Sequence, residues 1–277
     1  MAVAPPEGPP WDLRIAEAPL VFVDLEMSGL DPKKDRVLEL CLERVVGEKV
    51  ERRLASLVRP DDAAFGNRHI HGIDPADIAK APTFADLADD VLALLDGAVL
   101  VAHAAVWDVS FLEAELARAG RPRAIRSYLD TLTLSRRAFA LPSHRLGALA
   151  DALGIARVNA HRAEDDVRVL REVFRKILSV LEPTTPRDLW HVRIAERHAR
   201  PDVVAAAVRA CEGELPVLVR YRPARRAPED VPMRITAVRT DVDPPRVLGY
   251  DTVTRSRKDL RADRILAIEP IEEARDR

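Results

Sequence analysis

Cysteine is almost missing from this chain. Its 277 residues hold only Cys41 and Cys211, far apart and without a CxxC spacing or a neighbouring histidine, which excludes a disulfide framework and a zinc site of the usual spacing. Such usage suits a reducing compartment, and a cytoplasmic location is the expectation. Long hydrophobic runs are missing too. No stretch approaches the roughly 18 uninterrupted apolar residues of a membrane span, and the Pro-rich start MAVAPPEGPPWDLRIAEAP lacks the basic end and apolar centre of an export signal. No membrane partner is therefore expected. An excess of one charge is also lacking: 43 Lys and Arg stand against 45 Asp and Glu, a formal net charge of −2, so net charge alone does not mark a nucleic-acid binder. No internal repeat is present.

What remains is a composition fit for a packed core, 47% hydrophobic, on a chain longer than the roughly 100–200 residues of one domain. One domain and a smaller second one is the expectation. Charge divides the same way. Residues 1–182 carry 24 basic and 29 acidic side chains, residues 183–277 carry 19 and 16. The boundary falls in EPTTPRD (182–188), which holds two prolines and few apolar groups. The expected organisation is a flexible N-terminal tail over 1–18, a first domain over 19–182, a linker with a helical segment over 183–202, and a small β domain over 203–277.

PLVFVDLE, RVLELCLERVV and KVERRLASLVRP read as three strands, the first apolar on both faces and the others alternating, which suggests an antiparallel meander. PTFADLADDVLALLDG reads as a helix with Thr83 as N-cap and Gly97 at its end. AVLVAHA is a further buried strand, followed by the helix VWDVSFLEAELARAG, a short strand around SYLD, helices within TLTLSRRAFA and HRLGALADALG, and a long helix from about Arg162 to Leu181. Strands first, then alternating helices and strands, predict an α/β sheet with helices on its faces. Beyond the boundary a helix near 201–212 leads four short β-rich runs, PVLVRYRP, MRITAVRT, RVLGYDTV and DRILAIEPI, which predict a small β-barrel or sandwich.

Three places carry chemistry. In a strand, residues i and i+2 share a face, so Asp24 and Glu26 project together while Leu25 turns into the sheet. Two anions so close repel near a core unless a cation lies between them, and a hard divalent metal is one; the other reading is a strand that ends in solvated acids. Asp108 opens the second helix, where an acid also serves as N-cap. In AHRAEDDVRVLREVFRKIL the apolar stripe Ala163, Leu170, Val173, Phe174, Ile177 takes in Asp166, whereas Glu164 and Asp165 turn away. A carboxylate on a packing face is unusual. His161 lies on the loop leading into that helix, able to reach whatever Asp166 holds, or an ordinary surface histidine.

Taken together, DLEMSG, HAAVWDVSFL and HRAEDD resemble the three exonuclease motifs of the DnaQ-like 3′–5′ exonucleases of the DEDDh type, the group of the polymerase III epsilon subunit, ribonuclease T and oligoribonuclease. HIHGIDPADIAKAPTFADL and SHRLGALADALGI have the family's look as well, so the likeness spans about residues 20–180. It implies a ribonuclease H-like mixed sheet with helices on both faces. It implies that Asp24, Glu26, Asp108 and Asp166 bind two Mg²⁺ or Mn²⁺ ions and that His161 is the general base of phosphodiester hydrolysis, a role suited to an imidazole with an ordinary pKa near 6.5. Met27, Ser28, Leu30 and His71 match positions that hold the terminal nucleotide. The implied partners are single-stranded nucleic acid 3′ ends, DNA ahead of RNA, and a polymerase or repair complex. Where the family commonly has His-Asn-x-x-Phe-Asp, this chain has Ala104 for the Asn and Trp107 for the Phe, a departure that bears on nucleotide positioning. Asp130 matches a frequent family acid but is accounted for as the N-cap of the next helix.

The tail from about 203 to 271 resembles the WYL domain, a small Sm-like β-barrel of bacterial regulators, through its helix, VRYRP and DLRADRI, although Val247-Leu248-Gly249-Tyr250 replaces the eponymous Trp-Tyr-Leu. That resemblance implies nucleic-acid or small-ligand binding, with Arg220, Arg222, Arg255, Arg257, Arg261 and Arg264 as phosphate contacts, set against a plain solvated face. It also leaves a second function open, a regulator acting through this tail.

Overall fold

A strand apolar on both faces belongs in the middle of a sheet, and LVFVDLEM takes that place as β1 (Leu20–Met27) in a computed structural model that describes residues 4–60, 72–157, 162–194, 199, 201–223, 228–242 and 244–271. β2 (Val37–Val46) and β3 (Lys49–Leu57) follow as the antiparallel meander expected, and β4 (Val99–Ala102) and β5 (Leu129–Asp130) add parallel strands on the other side. The order is β3-β2-β1-β4-β5. Between and after them come α1 (Pro75–Ile78), α2 (Phe84–Leu95), α3 (Val106–Arg118), α4 (Thr131–Ala138), α5 (Leu146–Leu153), α6 (Ala163–Leu181) and α7 (Pro186–Ile194). α2 begins where its sequence says it should: Thr83 Oγ1 accepts the Asp86 N–H and the Asp86 carboxylate accepts the Thr83 N–H at 2.9 Å, a reciprocal capping box.

The two faces of β1 have different partners. Val21, Val23 and Leu25 join the core under α2 and α3, packed with Phe84, Val91, Phe111 and Leu112. The opposite face, carrying Leu20, Phe22, Asp24 and Glu26, lies under α6, where Phe22 meets Phe174 edge to face at 5.4 Å between ring centres. The ribonuclease H-like mixed sheet with helices on both faces is thus present. Among the described residues no helix is long and apolar enough to cross a membrane.

The chain divides into two compact units, Met1–Ser135 with Pro142–Trp190, and Arg136–Leu141 with His191–Arg277. One expectation about organisation changes. Of the segment expected to be a flexible tail over 1–18, the described residues 4–18 are pinned within the first unit: Trp11 is only 4% exposed and Ala18 is buried. The Ile15 N–H donates to the Thr184 carbonyl at 2.8 Å, and the Arg187 guanidinium binds Asp12 and the carbonyls of Pro5 and Pro6. The physical reason is one buried aromatic and one arginine, which outweigh a proline-rich composition. The helical segment expected within 183–202 is α7, and the first unit runs on to Trp190.

The second unit holds α8 (Pro201–Glu212) and five antiparallel strands, β6 (Pro216–Tyr221), β7 (Glu229–Arg239), β8 (Arg246–Asp251), β9 (Arg257–Arg261) and β10 (Ile265–Pro270), in the order β10-β6-β7-β8-β9. Val203, Ala207 and Ala210 of α8 pack on Val217, Val219, Met233, Ile235 and Val247. Gly249 is required there, since a Cβ would stand 2.1 Å from the Arg234 carbonyl oxygen on the neighbouring strand.

Candidate active site

β1 ends by delivering Asp24 and Glu26 to the face under α6, and its pairing with β2 shifts register between Glu26, opposite Glu39, and Met27, opposite Val37. α6 begins with Ala163 and presents Asp166 in its first turn. The result is one cluster: carboxylate oxygens of Asp24, Glu26 and Asp166 all lie within 4.8 Å of one another. Asp108 stands beside them rather than in that group. It is the third residue of α3 and only 6% exposed. The N-cap position is Ala105, so capping is not what Asp108 does; its carboxylate instead interacts with its own N–H and with that of Leu25.

The electrostatics are those of crowded anions in a dry place. Burial raises Asp24 well above the usual carboxylate range, and Asp108, Asp166, Glu26 and Glu39 raise it further. Burial, then Asp166 and Glu39, pushes Glu26 up to about 7, opposed by Arg162. Burial pushes Asp108 up to about 8, with Asp130 and Glu26 adding to it and the backbone hydrogen bonds opposing. Neither Asp24 nor Asp108 forms an ion pair with a lysine or arginine among the described residues. The hard oxygen donors of Asp24, Glu26, Asp108 and Asp166, gathered in one place, fit a divalent cation of the Mg²⁺ or Mn²⁺ kind.

The loop after Glu26 is built, not loose. Ser28 is buried; its hydroxyl accepts the Arg36 N–H at 3.0 Å and donates to Asp35. Gly29 has no room for a side chain, a Cβ there falling 2.3 Å from the Asp35 carboxyl. Ser28 therefore braces this loop, while Met27 is half-buried and Leu30, 64% exposed, is open to a ligand. Behind the loop, Arg36 forms a buried two-pronged pair with Glu115 of α3, at 2.7 and 3.0 Å. On the other side, Trp107 and Val106 are exposed beside Asp108.

Some expected site residues are not brought into view. His161 and His71 lie outside the described residues. Of the two acids expected to turn away on α6, Glu164 is exposed, but Asp165 is mostly buried in a pair with Arg168 at 3.0 Å. Of the tail arginines, Arg255 and Arg257 are exposed, Arg220 lies on β6, Arg222 and Arg264 meet through a backbone hydrogen bond at 3.0 Å, and Arg261 is tied to Asp263 at 2.8 Å.

The exonuclease family model RNase_T matches residues 21–174, more than half of the chain and the whole span of the acid cluster. The chain belongs to the RNase_T exonuclease family. Among relatives, it is 32% identical over 160 residues to the DNA polymerase III subunit epsilon of Treponema pallidum, covering 56% of this chain and 74% of that protein. It is 27% identical over 172 residues to the PolC-type DNA polymerase III of Thermotoga maritima, covering 62% of this chain, and 29% identical over 187 residues to the 3′-5′ exonuclease DinG of Bacillus subtilis, covering 66%. The match spans only 13% of the PolC-type protein and 20% of DinG. Among solved structures, E. coli exonuclease I in complex with a dT13 oligonucleotide shares the fold, with a TM-score of 0.56 at 18% identity over 85% of this chain and 55% of that one. The match of this RNase_T chain to its family ends ahead of His191–Arg277, the larger part of the second unit.

Three residues at the site were passed over in the sequence. Glu39 is directly opposite Glu26 across β1 and β2, and the alternation of RVLELCLERVV did place it with Cys41 and Glu43 on one face. Arg162 is bound to it. Asp130 does cap α4, accepting from Leu132 N–H and Thr133 Oγ1, but its Oδ1 also accepts the Ala104 N–H at 3.0 Å and so holds the turn that leads to Asp108.

Proposed function

We propose that the chain is a metal-dependent 3′–5′ exonuclease that removes nucleotides from the 3′ end of single-stranded nucleic acid, DNA in preference to RNA. The observation that carries this reading is the convergence of Asp24, Glu26 and Asp166 oxygens within 4.8 Å, with Asp108 buried alongside. Family membership and the relatives named for DNA polymerase and 3′-5′ exonuclease functions support it, as does the DNA bound in the E. coli exonuclease I structure.

In this reading Asp24, Glu26, Asp108 and Asp166 hold two divalent ions, Mg²⁺ or Mn²⁺. Bound there, the ions supply positive charge to the scissile phosphate and acidity to the attacking water. The chain's own residues do the rest. The four carboxylates fix where that charge sits, and their burial keeps competing water out. His161, as a neutral imidazole, takes the proton of the attacking water. Met27 and Leu30, on the loop braced by Ser28, seat the last nucleotide, with His71 as a further contact. Residues 19–182 form the exonuclease domain. Residues 203–277 take no step of the hydrolysis and offer an accessory surface for nucleic acid.

The test is loss of label from 3′-labelled substrates: single-stranded DNA, duplexes with mismatched primer ends, and RNAs of two to five nucleotides. The expected result is release of mononucleotides with Mg²⁺ or Mn²⁺, none in EDTA, and none from Asp24→Ala. Cleavage by Asp24→Ala equal to the unsubstituted protein's would sink the proposal. Preference for the short RNAs would move the substrate to RNA.

A further inference from the structure

Glu39 and Arg162 form a clasp next to the acid cluster. Glu39 sits on β2, paired across the strands with Glu26, and its side chain is 8% exposed. Arg162 Nε donates to both of its oxygens at 3.1 Å and Nη2 to Oε1 at 3.0 Å. A fork of this kind fixes direction as well as distance. Oε2 also accepts the Ala163 N–H at 3.4 Å. Arg162 is itself the N-cap position of α6 and makes no side-chain cap, so a carboxylate from another strand meets the first N–H of that helix, that of Ala163. The Arg162 carbonyl in turn accepts the Asp166 N–H at 3.0 Å. One continuous path therefore runs from Glu26, across the strand pairing to Glu39, through the guanidinium to Arg162, and by one helical hydrogen bond to Asp166.

We propose that Glu39, acting through Arg162, is a positioning residue that sets the separation of Asp166 from Glu26 and so the affinity of the cluster for a divalent cation. This rests on the metal-dependent reading given above. Two carboxylates on different elements repel, and while Phe174 and Arg171 hold the body of α6 on the sheet, the clasp holds its first turn, which carries Asp166, against that repulsion. The tie also places a positive charge near Glu26 without letting it occupy the space between the acids: Arg162 is bound to Glu39, on the neighbouring strand. Outer partners of this sort typically change metal affinity by about 10–100-fold when removed.

The experiment measures, in the full chain, the Mn²⁺ concentration that gives half of the metal-induced rise in melting temperature, together with the melting temperature in EDTA and the rate of 3′-label release. Glu39→Gln, which keeps shape and loses charge, is expected to raise the Mn²⁺ midpoint about 10-fold, and Glu39→Ala about 10–100-fold. Arg162→Lys, which keeps charge and loses the fork, should raise it by a smaller factor. If Glu39→Ala does not fold, Glu39→Gln and Arg162→Lys carry the test. A fall in the EDTA melting temperature with an unchanged Mn²⁺ midpoint would make the pair a fold brace only and overturn the proposal. Unsubstituted protein that responds to Mn²⁺ but cuts no nucleic acid would end the exonuclease reading, while the midpoint still decides on the clasp; no response to Mn²⁺ at all would overturn the clasp as well.

Discussion

Buried acids in the first unit come in two kinds. Glu43 and Glu115 are each 1% exposed, and each is held by guanidinium groups: Glu43 by Arg53 at 2.5 Å and Arg171 at 2.7 Å, Glu115 by Arg36 at 2.7 Å. Glu39 has Arg162. Asp24, half-buried, and Asp108, 6% exposed, have no such partner among the described residues, and burial raises the pKa values of both. The same sheet and the same helices carry both. The chain therefore neutralises Glu43 and Glu115 with arginine to hold the fold, and in the metal-dependent reading proposed above it leaves Asp24 and Asp108 to an outside cation, with the Glu39–Arg162 clasp between the two kinds. The two kinds should respond oppositely to substitution, since breaking a buried pair strands a charge, whereas deleting a bare acid relieves one.

The largest effect is expected at the bare acids. Asp24→Asn should lower 3′-end cleavage by about 10³-fold. In EDTA at pH 8 the same substitution should stabilise the fold by roughly 1–3 kcal/mol, because a buried group that resists ionisation is replaced by a neutral one. Urea unfolding and label release on one protein preparation check both signs, and a destabilised Asp24→Asn would erase the contrast between the two kinds. Glu115→Ala should do the reverse, costing about 3–5 kcal/mol by urea unfolding through the loss of a buried pair, with the Mn²⁺ midpoint little changed.

That contrast explains which parts of the site were legible. Local periodicity puts Asp24 and Glu26 on one face of β1 and Asp166 on the packing stripe of α6, and their oxygens do lie together; it left open whether they hold a metal or are solvated acids, and only the family resemblance gave them the ligand role. Nothing local distinguishes Glu115, whose partner is 79 residues away, or Glu39, whose partner is 123 residues away. Their acids read as the polar positions of amphipathic elements until the fold brings the arginines across. The N-terminal segment misled for the same reason, since what anchors Trp11 and Asp12 is Arg187 at the far end of the first unit. The order of the main strands and helices survived because it depends on runs of apolar residues, and four of the second unit's five described strands were legible the same way; β9 (Arg257–Arg261), charged at four of its five positions, was not. The position of Asp130 was half legible: its capping of α4 is local, but its grip on Ala104 is not.

A pH series sharpens the comparison further. Glu26 is held near 7, above its ordinary value of 4.5. A carboxylate whose pKa is higher in the folded than in the unfolded chain binds more protons when folded, so stability falls as pH rises between the two values. In EDTA the free energy of unfolding should thus drop between about pH 5 and pH 8, by roughly 3 kcal/mol on account of Glu26 alone. Mn²⁺ should shrink that drop, since the cation takes the place of the protons. Glu26→Gln should remove its share of the slope in EDTA, and an unaltered slope would mean that the cluster does not carry the charge its burial implies.

The smallest expected effect concerns an acid of a third kind, one satisfied by backbone. Ala104 has φ +58°, a left-handed conformation that costs a residue with a Cβ about 1–2 kcal/mol. Asp130 Oδ1 holds it there through the Ala104 N–H at 3.0 Å and reaches the Ala105 N–H at 3.5 Å. Where relatives of the DnaQ type commonly place Asn, a residue that tolerates this region, the chain places Ala and leaves the strain to Asp130. Ala104→Asn and Ala104→Gly should each raise stability by roughly 0.5–1 kcal/mol in urea unfolding. If the strain is what Asp130 opposes, Asp130→Ala should cost less in the Ala104→Gly background than in the unsubstituted chain. Equal costs in the two backgrounds would show that Asp130 serves α4 alone, and that the turn into Asp108 keeps its shape without it.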